Sequence, residues 1–222
     1  MLYFEKSSPS PECLQEEKNK ASGSYSCGDV LDRLRVDFHN KCYICEDSQP
    51  HSINVEHLIP HRGDSELKFA WDNLFWSCSH CNNTKLDKYD DILNCTEEEL
   101  DIESKLSYEF KPYPFESVTV VPLSNDQNCI NTAALIEAVF NGSTKLKKIE
   151  SANLRNKLLD EMQEFQQYLI EYFRPTADES EKEQYKSKIR AHLHRASSFT
   201  SFKRCVIKEN SRLSAEFSCF IE

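Results

Sequence analysis

Two pairs of cysteines have the spacing of metal ligands. Cys42 and Cys45 form one C-x2-C pair, and Cys78 and Cys81 form a second. A tight turn places two thiolates on one side of a metal ion, so two such turns complete a tetrahedral Zn²⁺ site. A redox function or a chance pairing is the alternative. Because both pairs lie within one short segment, we expect these four cysteines to bind a structural zinc ion.

The interval between the two pairs carries residues suited to proton transfer. It spans residues 46–77, longer than in a minimal zinc ribbon, so it must contain structure of its own. Apolar residues that alternate from Ile53 onward predict a strand ended by Pro60, and this strand carries Glu56 and His57. A neutral imidazole accepts a proton at physiological pH. Taken alone, a strand histidine is more often structural, or here a further zinc ligand, so its neighbours must decide its role.

A small mixed unit must position these residues. An amphipathic run that reaches Phe38 predicts a short helix before the first cysteine pair, residues 71–76 approach the second pair, and a helix can start at residues 81–85. Zinc would join the two ends of this ββα unit, which buries too little surface to be stable alone. Adjacent strand residues point to opposite faces, so we expect a bulge or a turn that brings Glu56 and His57 to one site.

This combination resembles the HNH endonuclease family. The resemblance covers about residues 38–90 and depends on separated elements in a fixed order: two C-x2-C pairs, Glu-His on a strand between them, a following Asn-Leu, and Asn-x2-Lys after the second pair. It implies a ββα-metal catalytic core that hydrolyses phosphodiester bonds. Asn82 replaces the final histidine of the family, and His80, two residues earlier, is the alternative ligand.

The resemblance also implies a role for each matching residue. His57 is the expected general base. Glu56 and Asn82 match the positions that hold a catalytic divalent cation, Mg²⁺ or Mn²⁺, which prefers oxygen ligands. Asn73 matches the middle asparagine of the family. We count it with the catalytic residues and expect it to brace the loop and the base.

Further residues are candidates for contact with nucleic acid. Lys85, counted with the catalytic residues, and His61 are expected to contact phosphate or developing charge, although each is also compatible with an ordinary surface position. Residues 143–222 contain 15 basic and 12 acidic residues. The C-terminal candidates lie beside aromatic residues in a stretch without acidic residues: Lys186, Lys188, Arg190 and Arg195. A solvated basic helix face explains that pattern equally well.

Composition excludes several classes of protein. The chain has 37 acidic and 27 basic residues, a net charge of −10, which excludes a broadly basic nucleic-acid coat. No run approaches the roughly 18–20 apolar residues of a membrane span, and the first ten residues lack the apolar core of a signal peptide. We therefore expect a cytoplasmic protein that is not bound to a membrane. The remaining cysteines have no pair spacing and are all expected to be buried free thiols: Cys13, Cys27, Cys95, Cys129, Cys205 and Cys219.

These observations predict an α+β fold with a zinc-stapled ββα-metal core and a mainly α-helical C-terminal region. The expected segments are an N-terminal lead-in, the nuclease core, an acidic connector, and a helical region for partner docking or nucleic-acid contact, at residues 1–37, 38–90, 91–122 and 123–222.

Shorter patterns predict individual elements of the later segments. A β-branched run at Val118–Val121 predicts an edge strand, and Thr132–Phe140 predicts a helix that ends at Asn141-Gly142. A longer helix with a core-facing stripe is predicted by apolar residues that recur every three or four positions: Leu154, Leu158, Met162, Phe165 and Leu169.

The chain is also similar to one branch of the family. The N-terminal Tyr3-Phe4-Glu5-Lys6, the Lys-Cys-Tyr-Ile-Cys-Glu sequence at residues 41–46 and the helical C-terminal region resemble the PtuB-type HNH subunits of Septu and retron-associated anti-phage systems. This implies an ATPase partner of the PtuA type. Residues 38–90 hold five basic and eight acidic residues, so we expect weak substrate binding by the core alone.

Several functional alternatives stay open. DNA is the favoured substrate, but HNH chemistry does not use the 2′-hydroxyl, so RNA such as transfer RNA is the second possibility. A non-catalytic zinc-ribbon binding module is the third. The long amphipathic helix is a candidate for docking or self-association, because periodicity alone does not distinguish a core from an interface.

Overall fold

The computed structural model describes residues 1–112 and 116–221, so residues 113–115 of the predicted connector lie outside the described residues. The chain has the predicted α+β fold. Its helices, in chain order, are α1 (Glu12–Lys18), α2 (Gly28–Asp37), α3 (Ser65–Phe69), α4 (Ser79–Lys85), α5 (Gln127–Asn141), α6 (Lys145–Tyr172), α7 (Glu179–Leu193), α8 (Thr200–Glu209) and α9 (Ser211–Phe217). Its strands are β1 (Ile53–His57), β2 (Leu74–Cys78), β3 (Leu106–Lys111) and β4 (Ser117–Pro122).

The ββα unit forms in the predicted order. Strands β1 and β2 are antiparallel, with Val55 opposite Trp76, and α4 follows β2 without a break. Helix α2 leads into the first cysteine pair as predicted, and its apolar side buries Val30 and Leu34. Tyr43 N donates a hydrogen bond of 3.0 Å to Trp76 O, which fixes the first knuckle against β2.

A second hairpin lies in the segment predicted as a connector. Strand β4 confirms the strand expected at Val118–Val121, and it pairs with β3, which the sequence analysis did not predict. The alternation of Leu106 and Tyr108, both buried, is the signal for β3, but it is short and lies in a strongly acidic segment. Asn141 at the end of α5 receives a 3.0 Å hydrogen bond from Val118 N and so joins the hairpin to the helices.

The predicted C-terminal helices are confirmed as α5 and α6. Gly142 follows α5 with a φ of 65°, and an added Cβ there would lie 2.7 Å from the carbonyl carbon of Lys147. Only glycine therefore fits this close approach between the two helices. The predicted core-facing stripe of α6 is buried: Leu154, Leu158, Met162, Phe165 and Leu169.

The main hydrophobic core draws on all four predicted segments. It begins with Met1 and extends to Phe202, and the Phe4 ring lies 4.9 Å from the Phe38 ring. A smaller cluster, which includes Phe165 and Phe217, packs between α6 and the last helices. The N-terminal segment is therefore part of the packing that supports the ββα unit.

The expectation of six buried free thiols is wrong for Cys13 and Cys27, which form a disulfide. The chain folds back between α1 and α2, so their Cα atoms lie 6.5 Å apart, within the range that a disulfide spans. The other four are free thiols as expected, and Cys95 and Cys129 are buried. The expected burial is wrong for Cys205, which is half-buried, and for Cys219, which is exposed near the end of the chain.

Among the described residues, no helix combines the length and the hydrophobicity that a membrane crossing requires.

Candidate active site

The four knuckle cysteines form one buried cluster. Their sulfur atoms all lie within 4.8 Å of one another, and Cys45 Sγ is 4.0 Å from Cys78 Sγ. Four thiolates about 2.3 Å from a tetrahedral zinc ion would lie about 3.8 Å apart. Cys81 N donates to Cys78 Sγ at 3.4 Å, a contact that stabilises charge on the sulfur. The donor set and its spacing therefore fit a structural zinc ion that joins the loop before β1 to the start of α4.

A cleft beside this cluster brings the predicted catalytic residues together. It has a volume of 310 Å³ and lies where the end of β1, the following loop and α4 meet. Its lining includes Glu56, His57, His61 and Asn82, and also Tyr25 from the N-terminal segment. The structure thus assembles four of the residues singled out in the sequence and adds others that were not, among them Tyr25 and Arg62.

Glu56 and His57 are adjacent at the end of β1, and both line the cleft. Glu56 pairs with Phe75 and His57 with Leu74 in an unbroken register, so the bulge offered as one explanation is absent from the described β1–β2 pair. Strand β1 ends at His57, and the chain bends at Leu58. The bend at Leu58 directly after the strand is the only departure from regular strand geometry next to this described pair.

The imidazole of His57 is held in the form of a base. His57 Nε2 lies 3.0 Å from Lys68 O, and since a carbonyl oxygen only accepts hydrogen bonds, Nε2 carries the proton. Nδ1 therefore keeps its lone pair. Burial lowers the pKa of His57, and the nearby His61 and Lys85 add to the shift, against the effect of the Lys68 carbonyl. The ring is accordingly neutral at physiological pH.

Two aromatic neighbours fix the plane of the His57 ring. Tyr25 packs edge-on with its centroid 4.6 Å away, and His61 does so at 4.8 Å. The carbonyl of Lys68 accepts the hydrogen bond from His57 Nε2. The Nζ of the same lysine donates a hydrogen bond of 3.1 Å to Gly23 O. The loop closed by the Cys13–Cys27 disulfide therefore forms one wall of the cleft.

Glu56 is buried and lies between two donors. Lys85 Nζ lies 2.8 Å from Glu56 Oε1, and the hydroxyl of Tyr43 donates to Oε2. Burial raises the pKa of Glu56, whereas Lys85 and Tyr43 oppose that shift. An ionised carboxylate has about four acceptor positions, so each oxygen retains a lone pair for a cation in the cleft.

The structure corrects the phosphate contact expected of Lys85. Its side chain is 0% exposed, and Nζ donates to His57 O at 3.0 Å as well as pairing with Glu56. A group buried in this way does not reach a substrate in the cleft. Lys85 instead links α4 to the end of β1 and holds both Glu56 and the backbone of His57 in position.

Asn73 braces the loop after β1. Its Oδ1 accepts from Ile59 N at 2.7 Å, and its Nδ2 donates to Ile59 O at 2.8 Å and to Leu67 O at 3.1 Å. Asn73 is not among the residues that line the cleft, and these hydrogen bonds agree with the expected bracing role.

Asn82 and His80 point to different parts of the molecule. Asn82 lines the cleft and is half-buried, with no side-chain hydrogen bond found to any residue in the described part of the chain. His80 lies 2.8 Å from Val139 O through Nε2 and 2.9 Å from Glu150 through Nδ1. His80 therefore connects α4 to α5 and α6, and Asn82 is the side chain available to a cation.

The C-terminal basic candidates are not part of this cleft. They lie on or just after α7, which packs against α6 and α8, and none lines the cleft that holds His57: Lys186, Lys188, Arg190 and Arg195. Lys186 lies 3.5 Å from Glu216, Lys188 covers the ring of Tyr168, and Arg190 covers that of Phe220. Three of these four basic side chains therefore contact other residues of the chain.

Tyr25 and Tyr43 are the residues that the sequence analysis missed. Tyr25 lies in a Ser-rich stretch without periodicity, and Tyr43 lies between the first two cysteines. Neither position carries a spacing signal, because each contact depends on how distant loops pack.

The comparison with protein families agrees with this geometry. Residues 42–88, about a fifth of the chain, match the family model described as HNH endonuclease. The matched segment contains both cysteine pairs, β1, β2 and α4. No curated protein matches the chain.

Proposed function

We propose that this protein is a metal-dependent endonuclease that hydrolyses phosphodiester bonds. The observation that carries the proposal is the cleft in which the free Nδ1 of His57 lies beside Glu56 and Asn82, inside a segment that matches the HNH family. A binding module would have no use for an imidazole held in one tautomer next to two oxygen ligands.

The residues divide the work of hydrolysis between them. His57 accepts a proton from the attacking water through Nδ1, while the Lys68 carbonyl stabilises the imidazolium that forms. Glu56 and Asn82 would hold a divalent cation, Mg²⁺ or Mn²⁺, which would neutralise charge on the phosphoryl oxygens. Lys85 and Asn73 are positioning residues, because they touch the base and the loop but not the substrate.

Duplex DNA is the substrate that we favour, with RNA as the second candidate. The cleft is open and shallow, so it admits a backbone phosphate rather than enclosing a small molecule. The proposed hydrolysis does not use the 2′-hydroxyl, so the same residues would serve RNA.

We also infer a role as the nuclease subunit of a cytoplasmic anti-phage complex with an ATPase of the PtuA type. The support is the similarity of the N-terminal motif and the first knuckle to PtuB-type subunits, together with the net charge of −10, which disfavours strong substrate binding by the chain alone.

A cleavage assay tests the proposal. Labelled duplex DNA and total transfer RNA are each incubated with the full chain at constant zinc, with Mg²⁺ or Mn²⁺ added or withheld, and with or without a candidate ATPase partner. The proposal predicts cutting that requires the added cation. Cutting that persists without it would contradict the role of Glu56 and Asn82. Binding without any cutting under every condition would favour the zinc-ribbon binding module.

A further inference from the structure

The first turn of α6 carries three lysines within four residues, Lys145, Lys147 and Lys148, which we call the α6 lysine cluster. Lys145 and Lys148 are exposed. Across residues 1–112 and 116–221, none of the three forms an ion pair with an acidic side chain. Their positive charges are therefore available to an external anion.

Several other basic residues of the C-terminal region pair with acidic side chains, and two that have no ion pair among the described residues, Lys188 and Arg190, cover aromatic rings instead. Lys203 lies 2.6 Å from Glu161, Lys157 lies 2.6 Å from Asp47, and Arg174 pairs with two glutamates. Such pairs cancel their own charge at a distance. In a chain with a net charge of −10, a polyanion is repelled by most of the surface and attracted to cations without acidic partners.

The α6 lysine cluster lies next to the helix that carries a cleft residue. Lys147 Nζ donates to Asn83 O at 3.2 Å, and Glu150, one turn further along α6, contacts His80 at 2.9 Å. These contacts place the start of α6 along one side of α4, while Asn82 on the same helix lines the cleft with His57.

We propose that the α6 lysine cluster binds backbone phosphates of the nucleic acid to be cut, beside the cleft that holds the scissile phosphate. This inference rests on the proposed nuclease function and identifies the surface that holds its substrate. Lysine contacts to phosphate position a strand without reading its bases, so the surface is indifferent to sequence.

Binding is measured in a full-length His57→Ala background, which prevents cleavage during the experiment. Fluorescence anisotropy with a labelled DNA duplex, and with an RNA duplex of the same sequence, gives the affinity across about 50 to 200 mM salt. One variant carries Lys145→Gln, Lys147→Gln and Lys148→Gln. The matched control removes the same charge from α7 through substitutions to Gln at the three sequence-predicted basic positions: Lys186, Lys188 and Arg190.

The slope of log affinity against log salt distinguishes contact from a change in net charge. Each phosphate contact contributes about 0.9 to the slope for duplex DNA, so we expect the slope of the α6 variant to fall by up to about 2.7. We expect affinity to fall at least about tenfold, with the α7 control close to the parent protein. Equal losses in both variants, or no loss in the α6 variant, would overturn the inference.

Cleavage by the same two sets of substitutions, made in a chain that retains His57, separates this inference from the proposed function. If the α6 variant still cuts in a cation-dependent way with normal salt dependence, the inferred phosphate-binding surface is wrong and the proposed nuclease function is retained. A loss of binding confined to the α6 variant, in a parent chain that never cuts, supports the surface and overturns the nuclease. The circular dichroism spectrum and zinc content establish that each variant is folded.

Discussion

The buried pair of Lys85 and Glu56 gives the sharpest prediction about what holds the cleft together. Lys85→Met keeps the length and the apolar stem of the side chain but removes the charge 2.8 Å from Glu56 and the donor to His57 O. Lys85 is 0% exposed and Glu56, although it lines the cleft, is only 5% exposed, so water replaces the lost partner only in part.

The expected cost follows from this geometry. At an effective dielectric constant of about 20, opposite charges 2.8 Å apart attract by about 6 kcal/mol. Desolvation of both groups offsets much of that attraction, and removal of one partner from a buried pair typically costs about 3–5 kcal/mol. Tyr43 remains bonded to Glu56 in the variant, so we expect the free energy of unfolding to fall by about 3 kcal/mol.

Urea denaturation at constant zinc measures this cost within a double-mutant cycle. The cycle combines Lys85→Met with Glu56→Gln, which removes the charge that would otherwise be stranded. We expect a coupling energy of at least about 2 kcal/mol, with the double variant more stable than Lys85→Met alone. Lys88→Met, an exposed lysine one turn further on, is the control and should change stability by less than about 0.5 kcal/mol. A coupling energy near zero would refute the buried ion pair.

Three further predictions concern the zinc ion, the disulfide and the half-buried Lys6. Cys42→Ser should lower the zinc content below one ion per chain and unfold the ββα unit, since zinc binding and folding are coupled there. Metal analysis and circular dichroism measure these two effects. A folded, zinc-loaded variant would contradict the four-cysteine site. Cys27→Ser should lower the free energy of unfolding by about 3 kcal/mol under oxidising conditions, because the bond to Cys13 closes a loop with a sequence separation of 14. The variant should also have a lower cleavage rate, because that loop carries Tyr25. If the parent chain has the same stability with and without a dithiol reductant, the bond does not form. Burial lowers the pKa of Lys6 to about 7, so above that pH the unfolded chain holds one more proton than the folded chain and stability rises with pH, by up to about 1.4 kcal/mol per unit. Denaturation between about pH 7 and 9 should show this rise in the parent chain and lose it in Lys6→Met, whereas parallel curves for the two proteins would count against the shift.

Spacing along the chain was enough to predict the zinc cluster and the elements around it. The two C-x2-C pairs, the alternation from Ile53 and the stripe from Leu154 to Leu169 are local patterns with one physical cause each, and the structure realises all of them. The tautomer of His57 required the structure, because it depends on a hydrogen bond to the carbonyl of Lys68, eleven residues away.

Interactions between distant segments explain what the sequence did not reveal. Lys85 has the appearance of a phosphate ligand in the motif, and only the packing of α4 on β1 shows that it is buried against Glu56. Cys13 and Cys27 have no motif spacing, because their bond depends on the chain folding back between two helices. The charges of α7 appear free in the sequence, but Lys186 finds Glu216 thirty residues later.

The measurement that tests the account most directly is the cleavage rate of the parent chain against His57→Ala, with Mg²⁺ or Mn²⁺ at constant zinc. His51→Ala is the matched control, since this exposed histidine lies in a different cleft beside the zinc cluster. Loss of a general base costs about 10²–10⁴ in rate, so we predict a fall of at least about a hundredfold for His57→Ala with unchanged zinc content and stability, and full activity for His51→Ala. Full cleavage activity in folded His57→Ala would contradict the assignment of His57 as the base.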